Sequence, residues 1–176
     1  MLAAWLASLP DEPWRRSRQL LIDFALGGAG LDYWLFGGWA VDFWVGRVTR
    51  EHDDVDVAAW RRDYDEIRVA LVAAGWRHTP AENEVVGTRY TWQSAGVEFA
   101  FVEARDDGSV VIPFPHSEIV WTSKPLGDQR CELQGLLARV IPLDVLRTGK
   151  QGLRGAPNDA AKDRADVAAL SAIRTT

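Results

Sequence analysis

A pair of glycines followed by a strand that carries two aspartates constrains the fold of this chain more than any other feature. Residues 33–36 predict a short buried strand, which ends at Gly37-Gly38, and residues 39–45 predict a short helix. After a polar loop, residues 54–60 predict a second strand in which acids alternate with valines. The glycine turn and the acidic strand are therefore expected on neighbouring parts of one small sheet.

Asp54 and Asp56 are candidate metal ligands. Alternate residues of a strand point to the same face, so the two carboxylates project side by side while Val55 and Val57 face the core. Two unit charges about 4 Å apart repel by about 4 kcal/mol at an effective dielectric of about 20, which a cation or a proton must offset. Oxygen ligands on a rigid strand suit Mg²⁺, which often shares phosphate oxygens with a nucleotide. The alternative is an exposed strand edge whose acids are solvated.

Gly37-Gly38 is a candidate phosphate-binding turn. Backbone N–H groups at the start of a helix attract anions, and a β-carbon would keep a phosphate away from them. The alternative is a plain strand-to-helix turn. Together with the aspartates, the turn predicts a site for a nucleoside triphosphate.

Glu98 is the candidate third acid. It lies in a predicted strand, residues 97–102, among apolar residues, where a carboxylate is costly without a partner. Beside the aspartate strand, it would reach both the metal and an attacking hydroxyl. The alternative places Glu98 on the solvent face of an antiparallel strand; Glu103, a competing candidate, lies on the other face.

The rest of the chain predicts an α+β or α/β domain with a mixed sheet. Its 176 residues fit a single domain, 1–176, with an N-terminal helical segment at 1–30 and C-terminal helices at 142–173. The further elements are a helix at 14–26, a helix end at Gly46, a helix at 63–74, strands at 76–79 and 89–93, a hairpin turn at Asp107-Gly108, a β-rich segment at 110–137, a helix from Pro142 to about Gln151 and a final helix capped by Asn158 and running to Ile173.

Composition excludes several classes of protein. The net charge of −5 argues against a general binder of nucleic acid or anionic membranes. With Cys131 as its one cysteine, the chain forms no intrachain disulfide and no four-cysteine zinc site. No apolar run reaches the length of a membrane span, and the apolar start, Met1 to Pro10, lacks the basic region of a signal peptide. A cytoplasmic protein is therefore expected, with Met1 to Pro10 either packed on the core or forming a homodimer contact.

A longer string makes the resemblance to a known family specific. Gly-Gly-Trp-Ala-Val-Asp at 37–42 and Gly-Arg-Val-Thr-Arg-Glu-His-Asp-Asp-Val-Asp at 46–56 resemble the small antibiotic nucleotidyltransferases of the DNA polymerase β superfamily. Some of these enzymes adenylylate aminoglycosides at the 2″-hydroxyl, and related members act on lincosamides. The resemblance extends from about Asp32 to Leu170 and implies the α+β polymerase-β-like nucleotidyltransferase fold, a mixed sheet flanked by helices.

The resemblance also implies roles for individual residues. Gly37 and Gly38 would contact the triphosphate, and Lys150 would meet phosphate. Two Mg²⁺ ions would be held by the acids Asp54, Asp56 and Glu98, and Glu98 would be a metal ligand or the general base. Many relatives carry Asp at this third position, so the carboxylate of this chain reaches further from its strand.

The cations and acids near the motif leave alternatives open. Arg50, together with Arg47 and His52, is expected either to neutralise the triphosphate or pyrophosphate or to pair with the acids of its own loop. Asp42 is expected to form a structural salt bridge with Arg47 or Arg50. Lys150 is alternatively a cation that stabilises a helix C-terminus, and residues 162–166 are expected to form a solvated helix face.

The predicted function is Mg²⁺-dependent transfer of AMP from ATP to a hydroxyl of a small molecule. An aminoglycoside is the first choice of acceptor, because acidic residues could hold its ammonium groups. The alternatives are a lincosamide, for which the nine Trp residues could provide an aromatic pocket, and a catalytically silent, antitoxin-like nucleotide-binding module. The acidic candidates for ammonium binding are Glu82, Glu84, Glu103, Asp106 and Asp107.

Overall fold

The computed structural model describes residues 29–52, 54–81, 84, 86–92, 95–114, 116–121, 126–151 and 157–173. The predicted helix at 14–26 and the apolar start of the chain lie outside these ranges. The helices are α1 (Gly37–Val45), α2 (Tyr64–Ala73, preceded by a 3₁₀ turn at Arg61–Asp63), α3 (Leu143–Gln151) and α4 (Pro157–Ser171). The strands are β1 (Tyr33–Leu35), β2 (Val55–Trp60), β3 (Arg77–Thr79), β4 (Gly87–Trp92), β5 (Ala95–Ala104), β6 (Val110–Phe114), β7 (Ser117–Trp121), β8 (Arg130–Leu133) and β9 (Leu136–Arg139).

A seven-stranded mixed sheet organises the molecule. Its main path runs β1-β2-β5-β4-β3, and β6 and β7 continue from the far end of β5. The β2–β5 pair is parallel, whereas the other pairs of this sheet are antiparallel. β8 and β9 form a separate hairpin. This architecture agrees with the predicted α+β class.

Helix α1 begins two residues earlier than predicted, because the glycine pair forms its first turn instead of preceding it. Gly37 has a φ of +65°, and every residue from Gly37 to Phe43 is buried. The helix ends at Gly46, as predicted, where a φ of +75° lets the backbone N–H of Gly46 donate to the carbonyl of Asp42 at 2.9 Å. The turn and the helix are thus fixed against the core beneath the loop that leads to β2.

Helix α4 differs from its prediction in two respects. It begins at Pro157, so Asn158 lies inside the helix instead of capping it, and it ends at Ser171. The expectation that residues 162–166 form a solvated face is wrong for Asp163 and Asp166, which are 3% and 0% exposed, whereas Arg164 and Ala165 are exposed. A spacing of three residues puts both on one side of the helix, and this side packs against α1 and α3.

None of the helices in the described ranges combines the length and the apolar character that a bilayer crossing requires.

Candidate active site

The parallel pairing of β2 and β5 brings the three predicted acids to one edge of the sheet. Asp56 lies opposite Glu98 in the register of these strands. Residues opposite each other on neighbouring strands project to the same face, so the two carboxylates stand side by side, with Asp54 just before the first residue of β2. Val55 and Val57 are fully buried, as the alternation predicted.

The glycine turn packs directly on one of these acids. A β-carbon on Gly37 would overlap the Cγ and Oδ2 atoms of Asp56, and one on Gly38 would overlap Arg50 Nη2 and the ring of His52. The backbone N–H of Phe36 donates to the carbonyl of Asp56 at 3.1 Å. Only glycine permits the carboxylate of Asp56 and the side chains of Arg50 and His52 to approach the helix start this closely.

Arg89 contacts the acidic group from the next strand. It lies opposite Glu98 in the β4–β5 register, and its Nη1 donates to Glu98 Oε1. The same nitrogen is 3.7 Å from Asp54 Oδ2. A guanidinium therefore offsets part of the repulsion among the acids. Among the residues that the structure describes, no group of three or more His, Cys, Asp or Glu side chains is arranged to hold a metal ion.

The donor chemistry of the site still fits Mg²⁺. Asp54 and Asp56 offer carboxylate oxygens from one strand, and Gly37 leaves the space that the Asp56 carboxylate occupies. Hard oxygen ligands from one or two carboxylates, completed by water and phosphate, are the usual Mg²⁺ environment. Glu98 can join them only by giving up or sharing its contact with Arg89.

Asp42 fixes the loop that leads into β2. Its buried carboxylate accepts hydrogen bonds from the backbone N–H and the hydroxyl of Thr49, and its Oδ2 lies 2.7 Å from His52 Nε2. The expected salt bridge to Arg47 or Arg50 is therefore wrong. Because Gly46 reverses the chain, Thr49 and His52 face Asp42, whereas Arg47 is exposed.

Arg50 and Lys150 meet at a carboxylate that the sequence analysis had placed in solvent. Arg50 donates from Nε and Nη2 to the two oxygens of Asp166 at 3.0 and 3.1 Å, and Lys150 Nζ lies 2.7 Å from Asp166 Oδ2. Burial alone would raise the pKa of Asp166. Hydrogen bonds from Arg50 and Lys150 outweigh that effect and hold the pKa below its usual range, so the carboxylate is ionised at neutral pH.

The glycine turn, the three acids and the two cations line a cavity of about 430 Å³. Its polar lining residues, called here the polar wall, include both acids and cations, and its apolar lining residues are called the apolar wall. The polar wall is formed by Gly37, Gly38, Arg50, His52, Asp54, Asp56, Glu98, Lys150, Lys162 and Asp163, and the apolar wall by Phe36, Ile112, Ile119, Trp121, Ile141, Val145 and Leu146.

The acids expected to bind ammonium groups are not at this cavity. Glu84 accepts a hydrogen bond from the Tyr64 hydroxyl, and Glu103, Asp106 and Asp107 are exposed at or beside the β5–β6 turn. The Asp107 carboxylate caps Ser109, and these hydrogen bonds lower the pKa of Asp107. Glu82 lies outside the described residues.

Comparison with known proteins decides the family. Residues 20–170 match the aminoglycoside-2''-adenylyltransferase family. The chain belongs to this family. A 2''-aminoglycoside nucleotidyltransferase of Klebsiella pneumoniae is 41% identical over 49 residues, which is 28% of each chain, and one of Escherichia coli is 59% identical over 27 residues, 15% of each. These two alignments span less than a third of the relatives' length. The family match over residues 20–170 confirms the resemblance inferred from the motif.

Solved structures confirm the predicted fold of this family member. The lincosamide antibiotic adenylyltransferase LnuA, bound to lincomycin, superposes with a TM-score of 0.72 at 18% identity, covering 89% of this chain and 96% of LnuA. ANT(2'')-Ia in complex with adenylyl-2''-tobramycin gives a TM-score of 0.63 at 17% identity, covering 88% and 90%. At such identities the likeness shows the shared fold alone.

Three residues that contribute to the site were not predicted from the sequence. Arg89 was placed in a strand, but its position opposite Glu98 depends on which strands are neighbours. The other contributors, Asp163 and Asp166, looked like part of a charged helix surface. Their three-residue spacing within a helix was the available signal, since it places both carboxylates on one face.

Proposed function

We propose that this chain transfers the adenylyl group of ATP to a hydroxyl of a small molecule, with an aminoglycoside as the first choice of acceptor. The observation that carries the proposal is the convergence of Asp54, Asp56 and Glu98 beside the Gly37 turn, in a cavity that also holds cations. Family membership supports the same reaction.

Each group has a role in this reaction. Asp54 and Asp56 would hold Mg²⁺, whose charge stabilises the attacking and leaving oxygens. The acceptor oxygen forms a bond to the α-phosphorus, the bond from that phosphorus to pyrophosphate breaks, and Glu98 takes the hydroxyl proton. Arg50, Lys150 and the N–H groups of the glycine turn bind the triphosphate. Holding both reactants in line could contribute about 7–11 kcal/mol to lowering the barrier.

The experiment is an assay of pyrophosphate release with ATP, Mg²⁺ and a panel of aminoglycosides and lincosamides. We expect a product heavier by one AMP with at least one compound.

Asp54→Asn should abolish turnover while the far-ultraviolet circular dichroism spectrum and the melting temperature stay near wild type, because Asp54 is 30% exposed. Asp65→Asn on α2, 82% exposed, is the matched control. An active Asp54→Asn variant would contradict the metal assignment, and ATP binding without turnover across the panel would indicate a nucleotide-binding module instead.

One observation favours a lincosamide as the second candidate acceptor. The apolar wall of the cavity, with Trp121 and Ile119, suits a compound with one amine and an apolar tail better than a polycation. The panel distinguishes the two, because the class of compound that gains AMP identifies the acceptor directly.

A further inference from the structure

Asp166 lies behind the polar wall of the cavity, where it joins two cations that come from distant parts of the chain. Its side chain is 0% exposed and does not line the cavity, whereas Arg50 and Lys150, which do, are 20% and 12% exposed. Arg50 belongs to the loop before β2, Lys150 to α3 and Asp166 to α4. One carboxylate therefore connects three elements at the wall.

Both cations line the cavity and carry donors beyond those that Asp166 accepts, and Lys150 Nζ also lies 3.7 Å from Asp163 Oδ1. Arg50 uses Nε and one Nη2 hydrogen on Asp166, and Nη1 donates to the Glu51 carbonyl at 2.9 Å. A guanidinium has further N–H bonds on Nη1 and Nη2, and an ammonium has three donors. Because Arg50 Nη2 lies against Gly38, the Arg50 donors stand next to the turn where the backbone would bind phosphate, and Lys150 lines the same cavity.

Two cations at one wall repel each other, so their shared position needs a carboxylate between them. A buried carboxylate is itself costly unless charged partners satisfy it. Asp166 and the two cations meet both requirements at once. We infer that Asp166 is a positioning residue that aligns Arg50 and Lys150 as one binding unit for the phosphate groups of the nucleotide. The inference rests on the proposed function and extends it to a residue that does not touch substrate.

The direction in which Asp166→Asn changes the affinity for an anion distinguishes a positioning role from a purely electrostatic effect. Asp166→Asn removes a negative charge near the cavity, so through-space attraction alone predicts tighter binding of an anion. Positioning predicts the opposite, because the Asn amide keeps only one acceptor oxygen and presents an NH2 donor in place of the other. It can no longer accept from Arg50 and Lys150 together, and the two cations separate. We expect the Kd of inorganic tripolyphosphate, measured by calorimetry without Mg²⁺, to rise about tenfold, and the KM for ATP to rise similarly.

A double-mutant cycle shows whether Asp166 acts through the cations. In an Arg50→Gln/Lys150→Gln background, Asp166→Asn should change the Kd of tripolyphosphate no further. Arg147→Gln is the matched structural control. Arg147 joins α3 to the end of α4 by donating to the carbonyls of Leu170 and Ile173, both at 2.8 Å, so its loss loosens the same helices without touching the cations and should leave the Kd near wild type.

Each outcome has one reading. Unchanged or tighter tripolyphosphate binding by Asp166→Asn overturns the positioning role, and so does an equal loss in Arg147→Gln, which would indicate helix docking alone. Failure of the wild type to bind either tripolyphosphate or ATP contradicts the proposed function itself. Weaker binding by Asp166→Asn alone, abolished in the Arg50/Lys150 background, supports the assignment.

Discussion

At the scale of single residues, Gly37 is the position where the geometry constrains the side chain most directly. Its φ is +65°, and a β-carbon would overlap the Asp56 carboxylate. Gly37→Ala should therefore displace Asp56 and lower pyrophosphate release by about 100-fold. The free energy of unfolding should fall by about 2 kcal/mol or more, as strain and overlap add.

Gly46→Ala is the matched control for this change. Gly46 has a φ of +75° but nothing within 4 Å of the added carbon. The Gly46→Ala variant should lose about 1–2 kcal/mol of its free energy of unfolding from backbone strain alone and should keep its activity. Equal activity in the two variants would show that close packing of Asp56 on the turn is not needed.

Arg89 gives a second prediction at this scale, concerning metal dependence. Its guanidinium contacts Glu98 and lies near Asp54, so it competes with a divalent cation for the same oxygens. Arg89→Gln should lower the Mg²⁺ concentration for half-maximal activity several-fold. Both side chains of the Arg89–Glu98 pair are more than two-fifths exposed, so stability should change by less than about 1 kcal/mol.

The Arg105–Glu118 pair provides the comparison for Arg89. It has similar exposure, 41% and 45%, and does not line the cavity. Arg105→Gln should leave the Mg²⁺ dependence unchanged. A higher Mg²⁺ requirement in Arg89→Gln would instead mean that the arginine assists the acids.

At the scale of elements, the sequence predicted where the strands and helices lie better than it predicted which of them pair or pack together. The alternation of Asp56 with buried valines and the glycines around α1 are local signals, and the corresponding elements lie close to where they were expected. The parallel pairing of β2 with β5 is a non-local choice, so the position of Asp56 opposite Glu98 could not be derived from local pattern. The contact of Arg89 with Glu98 depends in turn on the register of the β4–β5 pair. Asp166 was misjudged for a related reason, because tertiary packing decides which face of a helix is buried.

The contacts of Asp166 in α4 with Arg50 and Lys150 predict that the free energy of unfolding depends on pH. The pKa of Asp166 is lower in the folded protein than its ordinary value, so its contribution is fully present above the unfolded-state pKa of about 3.9 and is lost as pH falls through the folded-state pKa. Asp166→Asn should lower the free energy of unfolding by about 2–3 kcal/mol at neutral pH. The difference from wild type should begin to shrink once the pH falls below about 4 and should keep shrinking as the pH falls toward the folded-state pKa.

Urea denaturation from about pH 7 to about pH 3 measures this difference. Asp65→Asn, at an 82% exposed position, should follow the wild-type curve throughout. A constant gap between wild type and Asp166→Asn across the range would show that the ionised carboxylate is not what holds the helix.

At the scale of the whole molecule, the cavity is assembled from segments that are far apart in sequence. The α1 turn supplies the glycines, and β2, the residue before it and β5 supply the three acids. Helices α3 and α4 supply cations, and the β6–β7 hairpin supplies part of the apolar wall. Of the acids expected to attract a polycation, those that the structure describes, Glu84, Glu103, Asp106 and Asp107, do not line this cavity. We therefore expect the apolar wall to contribute to acceptor binding, while the polar wall binds the nucleotide.

Two adjacent residues of β7 test this division. Ile119 lines the cavity and is 47% exposed, whereas Val120, 39% exposed, does not line it and points to the other face of the strand. Ile119→Ala should raise the KM for the acceptor several-fold through lost apolar contact, with the KM for ATP unchanged. Val120→Ala removes comparable apolar area from the opposite face and should change neither KM. A rise in the KM for ATP in Ile119→Ala would place the nucleotide, and not the acceptor, against the apolar wall.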